Sequence, residues 1–108
     1  MKLQEVRVVR IYITEGQHLM SRLVRLLHDE QRVRGTTVFR GIAGFGVGGT
    51  LHTASLMDLS MDLPLVLEFF DVPERVEAAL TSLRQIIEPG HIVMWPAQVS
   101  LNDNDAEQ

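Results

Sequence analysis

From Val6 to Ile13 (VRVVRIYI) β-branched residues dominate, and Val9, Ile11 and Ile13 share one face, the period-two signature of a strand. The apolar period then lengthens. Leu19, Leu23, Leu26 and Leu27, joined by Met20 and Val24, recur at three- and four-residue intervals and predict a helix, with Gly35 as its C-cap glycine. Thr36–Ile42 (TTVFRGI) returns to strand composition. Residues 43–63 follow neither period and predict a mobile, glycine-rich loop. Leu65–Phe70 predicts a third strand. Asp71, with Glu74 three residues on and Pro73 between, offers an N-cap to a second helix whose buried stripe is Val76, Leu80, Leu83 and Ile87, and Pro89-Gly90 stops it. His91–Val99 (HIVMWPAQV) is the fourth strand. Residues 102–108 are polar and acidic, a disordered tail behind a single domain spanning 1–101.

The order β-α-β-loop-β-α-β predicts an α+β fold: a ferredoxin-like βαββαβ sandwich, with two helices on one face of an antiparallel four-stranded sheet. The opposite face would be bare. A monomer should make that face polar, yet Val8 and Tyr12 of the first strand and Val66 and Phe70 of the third point there, which predicts a covering partner. Arg10 and Glu68 are the polar exceptions, and their opposite signs allow them to pair within or between subunits.

Composition narrows the function. The 108 residues suit one domain, and 45% hydrophobic against 22% charged residues suits a packed core. A formal charge of −4 removes the broad attraction on which nucleic-acid and anionic-lipid binding depend, so no nucleic acid is expected as a partner. With no cysteine, disulfides, thiolate metal sites and a cysteine nucleophile are excluded. The apolar runs are short, with Glu68 interrupting Leu63–Phe70, and no apolar leader opens the chain; the expectation is a cytoplasmic protein without membrane insertion.

Five of the eight glycines, Gly41, Gly44, Gly46, Gly48 and Gly49, fall within nine positions. The run 44–49 fits G-x-G-x-x-G with Asp71 downstream, as in dinucleotide-binding folds. Against that reading, 50–61 is poor in helix formers and the fingerprint belongs after a first strand. The stretch 40–47 also has a superficial likeness to an RNA-stacking motif, but it ends the second strand rather than lying on the third. A P-loop is excluded, because the only lysine is Lys2. The four histidines show no metal-ligand spacing. His28 reads as a solvated helix residue, whereas His52, after the glycines, and His91, after Gly90, stand where ligands bind. Asp58 and Asp62 read as solvated loop residues. No nucleophile elbow or carboxylate pair is evident, and no catalytic residue is assigned.

With those residues laid out, the chain resembles the PII-like family catalogued as domain-of-unknown-function family 190. The likeness is carried by Thr37-Val38-Phe39-Arg40-Gly41-Ile42-x-Gly44-Phe45-Gly46, by Leu51-His52-Thr53-Ala54-Ser55, and by Leu59-Ser60-x-Asp62-Leu63-Pro64 before a strand ending in Asp71. Glu88-Pro89-Gly90-His91-Ile92 fits the family's entry to the last strand. The chain departs from the pattern between Thr14 and Ser21, where relatives carry a Gly/Lys-rich turn and then Pro-Leu-Tyr.

The resemblance implies a homotrimer with equivalent inter-subunit clefts, similar to PII signalling proteins, in which adenine nucleotides lie beneath a long loop. The implied ligand is AMP, ADP, ATP or a related nucleotide; the implied partner is a membrane transporter, a channel or an enzyme that reads residues 43–63. The candidate nucleotide-binding residues are Arg40, Gly41, Gly44, Phe45, Gly46, His52, Gly90 and His91. The glycines would form a nest of N–H groups, Arg40 would supply charge to a phosphate, and Gly90 would admit a neighbouring backbone. A metal- or small-anion-binding trimer of the same architecture and a small nucleotide-using enzyme stay open as alternatives.

Overall fold

The computed structural model describes residues 1–46 and 62–102, and residues 52 and 53 through their main chain; the remainder of the 43–63 segment and residues 103–108 lie outside the described residues. The sheet runs β2-β5-β1-β6, formed by Gly35–Arg40 (β2), Pro64–Asp71 (β5), Lys2–Thr14 (β1) and Ile92–Leu101 (β6). Every neighbouring pair is antiparallel. β1 and β2 are therefore parallel with β5 inserted between them, the split βαβ arrangement expected from the element order. Helices α1 (Met20–Arg25) and α2 (Pro73–Leu83) cover one face. Between β2 and β5 the chain adds a short ladder of β3 (Ala43–Gly44) with β4 (His52–Thr53), where no regular structure was expected.

Alternation in the two central strands builds the core. Val9 and Ile11 of β1 and Leu67 and Phe69 of β5 are fully buried, beneath Leu23 and Leu27 from the first helical segment and Val76, Ala79, Leu80 and Leu83 from α2. Ile87 stays in this cluster although α2 proper ends at Leu83, because the next turns keep their N–H groups bonded to Leu80 and Leu83 carbonyls. β1 starts four residues before the expected Val6: Lys2–Glu5 are polar apart from an exposed Leu3 but pair with Gln98–Leu101, so cross-strand bonding rather than apolar pattern extends the strand.

Two local expectations are corrected. Gly35 does not cap the first helix. That helix widens into a π turn at Leu26–Glu30, where the Gln31 N–H reaches back to the Leu26 carbonyl (2.9 Å), and the left-handed position falls on Arg32 at φ 50°. Gly35 instead opens β2 opposite Phe70, whose ring occupies the space a side chain would need: a Cβ there would meet Phe70 Cε1 at 2.7 Å. Asp71 does not cap α2 either. It ends β5, is 5% exposed, and its two oxygens accept from the Val72 N–H (2.7 Å) and the Arg34 N–H (3.0 Å), tying the start of β2 to the entry of α2. Val72 holds the N-cap position in extended backbone, and Pro73 opens the helix, where its missing N–H costs nothing.

Gly35→Ala should destabilise the protein by about 1–3 kcal/mol, because the added methyl forces the Phe70 ring off its site. In a Phe70→Leu background the same change should cost clearly less, which chemical denaturation of the four members of the cycle would show.

Candidate functional site

The end of β1 builds a compact turn. After Thr14 the chain enters a 3-10 turn, Glu15–Gln17, whose Gln17 Oε1 accepts the Thr14 N–H (2.8 Å), and His18 leaves it in left-handed backbone at φ 55°. β5 begins directly opposite, since Thr14 pairs with Pro64, and this register delivers residues 62 and 63 to the turn. The Glu15 N–H donates to the Leu63 carbonyl (2.9 Å) and the Gly16 N–H to Asp62 Oδ1 (2.6 Å). A Cβ on Gly16 would stand 2.6 Å from that same oxygen, so the close approach requires glycine. Asp62, expected as a solvated loop residue, is a structural acceptor.

Arg40 ends β2 beside this turn, and its Nε lies 2.6 Å from Glu15 Oε1. The two border a shallow cleft of about 420 Å³ that also takes in His18, Ser21, Val38 and Leu65. Next to Arg40, the Gly41 N–H donates to the Pro64 carbonyl (2.7 Å), and Gly41 and Gly44 both stack on the Pro64 ring, a Cβ on Gly41 falling 2.8 Å from its Cγ. Phe45 is 75% exposed, with Ile42 beside it at 80%. Gly44 pairs with His52 in register, which places the His52 main chain beside Gly44.

The glycines do not have the conformation expected of a nest. Among the described glycines only Gly90 takes positive φ, at 94°; Gly41, Gly44 and Gly46 do not, and the Gly41 N–H is already bonded to Pro64. What glycine supplies at 41 is room against the Pro64 ring. Gly48 and Gly49 lie outside the described residues.

Gly90 and His91 occupy the same end of the sheet at its other edge. The His91 carbonyl accepts the Tyr12 N–H (2.9 Å), and His91 Nδ1 lies 3.1 Å from the Tyr12 carbonyl. Arg40 is opposite Leu65, Leu65 is opposite Ile13, and β6 enters on the far side of β1. The two groups of candidates are thus three strand spacings apart, about 14 Å. One chain does not bring Arg40 and His91 onto the same ligand group.

The face away from the helices is apolar on all four strands. Phe39 (β2), Tyr12 (β1), Val93 and Trp95 (β6) are 37–47% exposed, and Val8, Val66 and Phe70 are half-buried between them. Arg10 Nε bonds Glu68 Oε1 at 2.7 Å across β1 and β5, and the guanidinium carbon sits 5.5 Å from the Trp95 ring centre. The hydrogen bond to Glu68, followed by one with Tyr12, raises the Arg10 pKa above the ordinary guanidinium value, so Arg10 stays charged throughout the working pH range. Phe39, Val93 and Trp95 were missed on this face by sequence reasoning, because β2 and β6 alternate less cleanly than the central strands. Among the described residues no cluster of three or more histidines and carboxylates could hold a metal, and no helix is long and apolar enough to cross a membrane.

The family model described as Uncharacterized ACR, domain-of-unknown-function family 190, matches residues 6–99, and the chain belongs to that family. Two relatives are UPF0166 proteins. One from Aquifex aeolicus is 32% identical over 92 residues (85% of this chain, 94% of the relative), and one from Methanocaldococcus jannaschii is 27% identical over 94 residues (83% and 86%). Among solved structures the fold matches CPII of Thiomonas intermedia, a nitrogen regulatory PII-like protein bound to ADP, AMP and bicarbonate, with a TM-score of 0.68, 20% identity, and coverage of 93% of this chain and 91% of CPII. The fold is PII-like.

The glycine geometry makes a graded prediction. Gly46→Ala, with open space and no positive φ, should leave stability within about 0.5 kcal/mol of wild type. Gly90→Ala meets no neighbour either, but its φ of 94° should cost about 1–2 kcal/mol, measurable by thermal or chemical unfolding.

Proposed function

Proceeding from that family membership, we propose that the protein is a PII-like regulator that assembles as a homotrimer, binds an adenine nucleotide in its inter-subunit clefts, and controls a partner through residues 43–63. The observation that carries this reading is the placement of the candidate residues. Arg40 and Gly41 lie at one edge of the sheet and Gly90 and His91 at the other, at the same end, so a site using both sets takes them from two chains. An apolar face with Phe39, Tyr12, Val93 and Trp95 exposed is the surface such an assembly would cover, and the Arg10–Glu68 pair, already satisfied within one chain, can enter an interface without leaving an unpaired charge.

The nucleotide is supported by CPII, which shares this fold and binds ADP and AMP. In the proposed cleft Arg40 contacts a phosphate, His52 and His91 lie along its rim, and Phe45 offers an exposed ring to a base. Regulation is a population shift: ligand favours one arrangement of residues 43–63, and a membrane transporter, channel or enzyme distinguishes the arrangements. The bicarbonate bound by CPII favours a second reading, a small-anion-binding trimer of the same architecture, in which Arg40 meets a carboxylate-like group instead.

Light scattering at micromolar concentration should give three times the 12.2 kDa chain mass; a monomer would remove the inter-subunit site. Calorimetry against AMP, ADP, ATP and bicarbonate then separates the two readings, since nucleotide binding supports the first and bicarbonate binding alone the second. Arg40→Ala should weaken nucleotide binding by about 1 kcal/mol, roughly fivefold, a modest loss because the Arg40 side chain is 62% exposed.

A further inference from the structure

The Glu15–Arg40 contact joins two unlike environments. The Glu15 side chain is 17% exposed and that of Arg40 is 62% exposed. Glu15 Oε1 is shut off from solvent and, with Arg40 Nε 2.6 Å away, receives no aligned hydrogen bond. A sequestered carboxylate held by one poorly aimed, solvent-facing guanidinium is weaker than a bidentate pair, and the guanidinium can exchange it for a better-aligned anion. Glu15 cannot follow Arg40. Its own N–H is fixed to the Leu63 carbonyl and the next N–H, of Gly16, to Asp62.

This turn therefore touches both chain segments that flank the β3–β4 ladder: Arg40 on the incoming side, Asp62 and Leu63 on the outgoing side. We propose that Glu15 is a built-in competitor for Arg40. In the unliganded protein its carboxylate occupies the guanidinium; an anionic ligand group takes Arg40 only by displacing it, and the carboxylate left without its counter-ion loosens the hold of the Glu15–Gly16 turn on Leu63 and Asp62. The inference rests on the reading that Arg40 receives an anionic group, and gives that site its regulation. Because coupling between two contacts is reciprocal, whatever weakens Glu15–Arg40 while leaving the Arg40 guanidinium in place must raise affinity for the anion, and bound anion must weaken the turn.

The test is calorimetry of the full chain with ADP, AMP and inorganic phosphate as separate probes, on wild type, Glu15→Gln, Glu15→Ala, Arg40→Ala and the double variant Glu15→Gln/Arg40→Ala. Glu15→Gln keeps the shape and the backbone bonds of the turn, and Glu15→Ala guards against a new amide contact. Both should bind ADP about three- to tenfold more tightly than wild type, the scale of a partly buried ion pair removed from competition, and the gain should vanish when Arg40 is alanine. On saturation with ADP, amide exchange at Glu15 and Gly16 of the wild type should quicken. If Arg40→Ala weakens ADP binding and Glu15→Gln does not tighten it, the competitor role is overturned while the nucleotide reading stands. A gain that persists without Arg40 also overturns it. If no variant binds ADP or AMP but Glu15→Gln binds phosphate more tightly than wild type, the nucleotide reading falls and the competition stands; if nothing binds any variant, both fall.

Discussion

Everything in the molecule hangs on the register of β1 against β5. Eight residue pairs, from Arg7–Asp71 to Thr14–Pro64, place Val9, Ile11 and Ile13 beside Phe69, Leu67 and Leu65 on the helix side. Side chains alternate with a period of two, so a slip of one residue would send Glu68 toward the helices and Leu67 to the open face, with several fully buried side chains lost at once. The cost of burying an unpaired carboxylate added to the loss of apolar burial leaves only one acceptable register. The same register fixes the far end of the ladder. With Thr14 opposite Pro64, the residues just beyond each strand must meet, and Glu15–Leu63 and Gly16–Asp62 are the bonds they form.

The open face follows from the same pairing. Central strands of a two-layer sandwich normally read apolar on one side and polar on the other. β1 and β5 are apolar on both, with Arg10 and Glu68 placed opposite one another in register. Direct opposition allows the 2.7 Å hydrogen bond, and Trp95, two strands from Glu68, extends a ring toward the guanidinium. Two charges that satisfy each other inside one chain can be covered without either losing its partner, whereas a single charge on that face would oppose covering. The face is thus chemically prepared for burial even though two of its side chains are ionic.

How much was visible in the sequence depended on the range of the interactions involved. β5, α2 and the core half of β1 were legible because Leu65–Phe70 and the Val76–Ile87 stripe repeat within a few residues and report burial directly. The end of the first helix was not, because a π turn preserves an apolar stripe while shifting the exit, and the left-handed residue is Arg32 rather than a glycine. Gly35 resembled a cap; its reason is the ring of Phe70, 35 positions away, and no local pattern encodes that. Asp71 looked like an N-cap for the same reason: the spacing to Glu74 suits one, but the Arg34 N–H across the sheet claims its carboxylate. Arg40, Gly41 and Gly44 share one edge as their closeness in sequence implies, yet the electrostatics of that edge lay in Glu15 and Asp62, which join it through contacts 25 and 46 residues apart in sequence.

The glycine run shows how one residue type can satisfy two different constraints. A nest needs glycine for its backbone angles, and a close-packed edge needs it for its missing Cβ; sequence alone does not separate them. Here Gly41 and Gly16 are of the second kind, each leaving room for a neighbour across the same edge, the Pro64 ring or the Asp62 carboxylate, and only Gly90 among the described residues is of the first. The consequence is electrostatic. With the Gly41 N–H bonded to Pro64, this edge does not attract an anion through that donor, and the fixed positive charge there is Arg40. A site whose attraction rests on one guanidinium is controlled by whatever else that guanidinium touches. In this chain it touches Glu15, whose own backbone is pinned by the pairing of β1 with β5.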